Sequence, residues 1–145
     1  MEEIIQEKIS ADHLLYVSLK YTKTCDVIMN LLLRWGKMID TCIVRILKEE
    51  KKKGKIKEIP TNVIGQITEI KKLLKKDKNA LDTIDFFMML RKIEGLKAER
   101  IGEFRKNVTL RVTFRGKEID INLEKLKEYA NMLENFIEMT KKRLK

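Results

Sequence analysis

The sequence predicts a mainly α fold: a helical bundle around one long N-terminal helix, with one antiparallel β-hairpin at about residues 108–121 before the C-terminal helix. Three observations carry this. Apolar residues recur at helical spacing, without a proline, from Ala11 to Lys48. The period then falls to two over residues 108–121, and it returns to helical spacing after Asn122.

In the long run, Leu14, Ser18, Tyr21, Cys25, Ile28, Leu32, Trp35, Ile39, Cys42 and Ile46 follow steps of four and three residues. That spacing keeps one helix face toward a partner. Leu31, Met38 and Val17 widen the seam on one side, and Met29, Leu33 and Ile43 on the other. Lys23, Asn30, Arg34, Lys37, Arg45 and Lys48 take the outer face, as a half-buried helix requires. Ser10 is the expected N-cap and Gly36 the weak point, costing about 1 kcal/mol against Ala. Such a helix is about 55–60 Å long, against about 40 Å for the width of a domain this size. It therefore bends at Gly36, projects, or is covered end to end by shorter helices or a second subunit.

Residues 1–9 read as a short segment prone to fray. The long helix ends in a lysine-dense stretch with Gly54 at the C′ position. Thr61 is the expected cap of the second helix, which shows Val63, Ile67, Ile70 and Leu74 on one face and runs to about Lys76. Asn79 is the expected cap of a third helix, Ala80–Ile93, apolar nearly all round. Residues 94–106 read as a loop or one more helical turn. In the hairpin, placing Phe114 opposite Lys117 sets Val112 on Ile119, Leu110 on Ile121 and Val108 on Leu123. The same register puts Thr113 on Glu118, Arg111 on Asp120 and Thr109 on Asn122, so both faces are satisfied at once. Asn122 caps the last helix, whose apolar face holds Leu126, Tyr129, Ala130, Leu133, Phe136 and Ile137. No internal repeat or linker divides the chain, so residues 1–145 read as one domain.

The chain is 37% charged and 43% hydrophobic with a single proline, which argues against a disordered chain. Lysine far outnumbers arginine and glutamine is rare, a usage like that of heat-adapted proteins. Cys25 and Cys42 lie about 25 Å apart along one helix, too far for a bridge, and read as small buried hydrophobes in a reducing compartment. No apolar run is long enough to span a membrane and the first residues are acidic, so a cytoplasmic location and no membrane contact are expected.

The formal charge of +10 admits polyanions. In an up-down bundle, Lys51–Lys57 falls at one end, and Lys71–Lys78 with Lys141–Lys145 at the other. The candidate polyanion-binding residues are accordingly Lys71, Lys72, Lys75, Lys76, Lys141, Lys142 and Arg143, with RNA backbone as the ligand. The alternative is a lysine-solvated surface. Catalytic chemistry is thin: His13 is the only histidine and reads as a surface or cap residue, and Asp82 and Asp85 answer a helix dipole more readily than they hold a metal. No cofactor and no metal ligand set is expected.

The long first helix, the helical pair and the closing helix after an Arg-containing segment together resemble the HEPN-type helical domains of prokaryotes. Those domains dimerise, often accompany small nucleotidyltransferases, and in some lineages cut RNA. The nuclease branch carries an Arg followed closely by a His. Arg100 and Arg105 are not followed by one here. The resemblance thus implies a non-catalytic binding role. The expected function is a non-enzymatic helical interaction domain that self-associates, as a homodimer or with a protein partner, through the long helix or the hairpin edge. The alternative is an RNA-binding accessory domain using the lysine-rich surface.

Overall fold

A computed structural model describes the whole chain, residues 1–145. The order is α1 (Glu2–His13), a π-helical turn (Leu14–Ser18), α2 (Leu19–Tyr21), α3 (Cys25–Lys52), α4 (Val63–Leu73) and α5 (Lys78–Leu90). A 3-10 turn (Ile93–Gly95), β1 (Ala98–Ile101), β2 (Thr109–Phe114), β3 (Lys117–Asn122) and α6 (Leu123–Arg143) complete it.

The single long N-terminal helix is corrected to two rods. The chain leaves helical geometry at Thr22 and restarts at Cys25. Thr24 is extended, and its hydroxyl accepts from the Val27 N–H at 3.3 Å, the work of an N-cap. Glu103 reaches across from the loop after β1 to accept from the Cys25 N–H at 3.0 Å. That places a carboxylate on the positive end of α3. Ser10, the expected cap, lies inside α1, and helix begins already at Glu2 because Ile4 is fully buried.

With the break, α1 folds back antiparallel on α3: Glu7 pairs with Arg34 and Lys37 (3.6 and 3.3 Å). Ile4, Ala11, Leu15 and Leu19 face inward. Lys8 bonds both Asp12 (2.8 Å) and Glu134 (2.7 Å), which ties α1 to α6 and raises the Lys8 pKa. At 28 residues, uninterrupted through Gly36, α3 is about 42 Å long, the width of the domain, so it fits within the body without projecting. Its seam from Cys25 to Leu47 is covered by α1, α4, α5 and α6.

Gly36 does not kink α3. A methyl placed there would sit 3.6 Å from Leu90 Cβ, an ordinary contact with α5. Gly36→Ala is therefore expected to stabilise the fold by about 0.5–1 kcal/mol in urea denaturation. A loss of stability would mean that α3 and α5 pack more tightly than this.

Gly54 takes φ 79° at the C′ position of α3, where Lys55 N–H bonds Glu50 O and Gly54 N–H bonds Lys51 O, as the sequence predicts. The cap of α4 is Asn62 rather than Thr61 (Oδ1 to Gly65 N, 2.6 Å), and that of α5 is Asp77 rather than Asn79. Asn79 instead donates its amide to Met132 O of α6. The hairpin has the expected register from Thr109↔Asn122 to Phe114↔Lys117. Val108 has no strand partner in Leu123, because Leu123 already begins α6. Asn122 caps α6 through Lys125 N–H.

The hairpin is corrected to a three-stranded antiparallel sheet of order β1-β2-β3. β1 pairs Ala98 with Val112 and Ile101 with Thr109. Arg100 of β1 reaches Asp26 of α3 (2.6 Å) and, three residues on in its own segment, Glu103 (3.3 Å). The sheet and helices share one cluster of buried apolar residues. No helix is long and apolar enough to cross a membrane.

Candidate functional site

Three surfaces concentrate chemistry. At the first, the C-termini of α3, α4 and α6 meet. Arg143 of α6 bonds Leu73 O at the end of α4 (3.4 Å) and lies 3.5 Å from Glu50 of α3, while Lys53 donates to Arg143 O (3.2 Å). All three lysine groups therefore share one end. Lys51–Lys57 is not at the opposite end from the others, because α3, α4 and α6 run parallel. Each helix C-terminus carries about half a negative charge, and a cluster of cations there answers three of them.

The candidate polyanion residues are not equivalent. Arg143 is turned inward on Glu50, so it is a structural cation. Lys71 pairs with Asp85 (3.4 Å), Lys72 with Glu69 (3.7 Å) and Lys141 with Glu138 (3.3 Å). Lys75, Lys76 and Lys142 are exposed and unpaired.

The second surface is the outer face of α1–α2. Five of the seven exposed large hydrophobic residues lie between Ile5 and Tyr21: Ile5, Ile9 (54% exposed), Tyr16 (57%), Val17 and Tyr21 (78%). Ile5, Ile9, His13, Val17 and Tyr21 follow strict four-residue steps. In a regular α-helix such steps drift around the axis. The π turn at Leu14–Ser18 takes up the extra residue, which holds both this outer stripe and the inner Ala11–Leu15–Leu19 stripe in line. A sixth exposed apolar residue, Phe104, stands beside the α2 end, its N–H bonded to Lys23 O (2.6 Å).

No protein-family model matches the chain, and no curated protein or solved structure matches it either.

The third surface is the cleft between α5, α6 and the hairpin tip, lined by Asp82, Asp85, Phe86, Phe114 and Tyr129 among others. His13 belongs to the α1 stripe, so the only imidazole and the Asp82–Asp85 pair stand on different surfaces. No three His, Cys, Asp or Glu side chains are grouped for a metal ion. Both cysteines are free and buried. Burial pushes the Cys42 thiol up to about 12 and also raises that of Cys25, whose Sγ donates to Thr109 O at 3.3 Å. Neither is a poised nucleophile.

The four-and-three spacing of the sequence places Tyr21 and Ser18 inward and Ile5 and Ile9 in a segment prone to fray, whereas Tyr21, Ile5 and Ile9 are all exposed on the outer face. The missed signal was the four-residue stripe from Ile5 to Tyr21, concealed by carrying the phase of α3 through Thr22–Thr24.

Proposed function

We propose that the protein is a non-enzymatic interaction domain that self-associates as a homodimer through the outer face of α1–α2. The carrying observation is the stripe Ile5–Ile9–His13–Val17–Tyr21, apolar, exposed and symmetric about His13. A two-fold axis through His13 with antiparallel helices sets Ile5 against Tyr21 and Ile9 against Val17. It also brings Glu3 toward Lys23 and Gln6 toward Lys20, whereas a parallel pair would set Glu2 and Glu3 against their own copies.

The other routes have less support. The α3 seam is covered within the chain. The β2 edge of the hairpin is occupied by β1, and the edges that remain are β1, short and carrying Glu99 and Arg100, and β3, carrying Lys117, Glu118 and Asp120, charges that discourage further pairing.

The α1–α2 rod is about 30 Å long and one helix wide, at the low end of specific interfaces, so a dissociation constant in about the micromolar range is expected. Light scattering from about 5 to 200 µM should show monomer passing to dimer. Ile9→Glu, at a half-exposed position that spares the fold, should hold it monomeric. A monomer throughout, or an undisturbed Ile9→Glu dimer, would overturn the proposal.

A second reading, RNA backbone bound at the lysine-rich end, is favoured by the convergence of the three lysine groups there. It requires binding at about 50 mM salt that weakens steeply as salt rises.

A further inference from the structure

The groove between α5 and α6 is closed on one side by the tip of the β2–β3 hairpin, forming a cleft of about 440 Å³. That is within the size range of small-molecule sites. Its floor is aromatic. Phe86 and Tyr129 stack with centroids 4.0 Å apart, and Trp35 meets both edge-on behind them, at 6.2 and 6.5 Å. Phe114 adds a ring from the hairpin side.

The two walls carry opposite charges. Asp82 and Asp85 stand on α5, and Arg115 and Lys117 on the hairpin. The carboxylates already have lysine partners: Lys78 at 3.3 Å from Asp82, and Lys71 at 3.4 Å from Asp85. Arg115 and Lys117 are in no ion pair, and the guanidinium lies instead 4.8 Å from the centre of the Phe114 ring. The unpaired charge beside the aromatic surface is therefore positive. Arg115 is also held at φ 52°, in the left-handed region, by the two-residue turn.

We propose that this cleft binds a nucleotide, the base packing against Phe114 and the rim of the stacked Phe86–Tyr129 pair, and the phosphate meeting Arg115 and Lys117. A planar π-face suits aromatic stacking, and the planar guanidinium fork suits a phosphate. The carboxylates of Asp82 and Asp85 accept hydrogen bonds and cannot donate them, so they select a base edge rich in N–H. Guanine presents two adjacent donors, which match one carboxylate once its surface lysine partner (Lys78 or Lys71) gives way, and uracil presents one. Burial and the charge of Glu128 push the Tyr129 phenol up to about 12, so the ring carries no charge of its own beside the cleft. The site shares no residue with the α1–α2 stripe and stands independently of self-association.

Calorimetry on the full chain with GMP, UMP, guanosine and ribose 5-phosphate tests it. Fluorescence of Trp35, the only tryptophan, is a second readout from directly behind the floor. GMP is expected to bind at least about tenfold more tightly than either guanosine or ribose 5-phosphate, and more tightly than UMP. Arg115→Gly suits the positive φ of the turn, so it keeps the fold. It should lower GMP affinity about tenfold and leave guanosine unchanged. No binding at about 1 mM GMP, equal affinity for GMP and guanosine, or an Arg115→Gly chain indistinguishable from the parent would each overturn the proposal. Where GMP binds, a short single-stranded RNA separates the sources: tighter binding than GMP names a strand, and equal or weaker binding names the free nucleotide.

Discussion

Replacing Arg143 with alanine should lower stability by about 2–4 kcal/mol, read as a shift of the urea midpoint at unchanged slope. The cause is Glu50, a carboxylate only 1% exposed that sits where three helix C-termini already bring negative charge. Its Oε1 lies 3.5 Å from the Arg143 guanidinium, and its Oε2 lies 3.6 Å from Lys55 without a hydrogen bond. Without Arg143, the buried charge keeps only an exposed lysine at long range, and the Leu73 carbonyl loses its donor. Glu50→Gln removes the charge and nearly keeps the shape, and Arg143 is near enough to the surface to be solvated, so it should cost less than about 1 kcal/mol. The double replacement should then recover most of the Arg143→Ala loss, because the two effects are coupled rather than additive. A loss below about 0.5 kcal/mol for Arg143→Ala would show that Glu50 needs no partner.

This arrangement also explains how far the sequence could be read. The pairing of β2 with β3 was legible from Thr109–Asn122 to Phe114–Lys117, because a period of two, a two-residue turn and opposite charges at Arg111 and Asp120 all specify one register. In the fold the Arg111 guanidinium holds the Asp120 carboxyl below its ordinary range. Gly54 and Asn122 were legible because each acts within its own turn of chain. The break at Thr22–Thr24 was not, since half of its cap comes from Glu103, far along the sequence. β1 was hidden for the same reason: Arg100 is fixed by Asp26 rather than by any local pattern. At the lysine-rich end the charge was visible, but its address depended on α4 running parallel to α3, which the long loop 53–62 permits and periodicity does not reveal. The aromatic cleft joins Phe86, Phe114 and Tyr129 from three elements, and each was legible singly only as an apolar residue.

The antiparallel register of the dimer predicts a cross-linking pattern that no other pairing of α1 produces. With the two-fold axis at His13, a His13→Cys chain brings two thiols together at the centre of the interface, within the Cα separation of about 5.5–6 Å that a disulfide needs. Mild oxidation should therefore convert most of the His13→Cys protein to a covalent dimer on a non-reducing gel. The native cysteines do not compete, because both are buried and their thiols are raised, that of Cys42 to about 12. Ile5→Cys and Tyr21→Cys should each stay uncross-linked alone, yet form a mixed covalent dimer when combined, since residue 5 of one copy faces residue 21 of the other. A parallel pair would do the reverse: every single variant would cross-link to itself and the mixture would add nothing. A reversible dimer by light scattering that none of these cysteines captures would keep self-association and move it off α1. His13→Cys dimers with silent single variants at 5 and 21 would fix both the face and its direction.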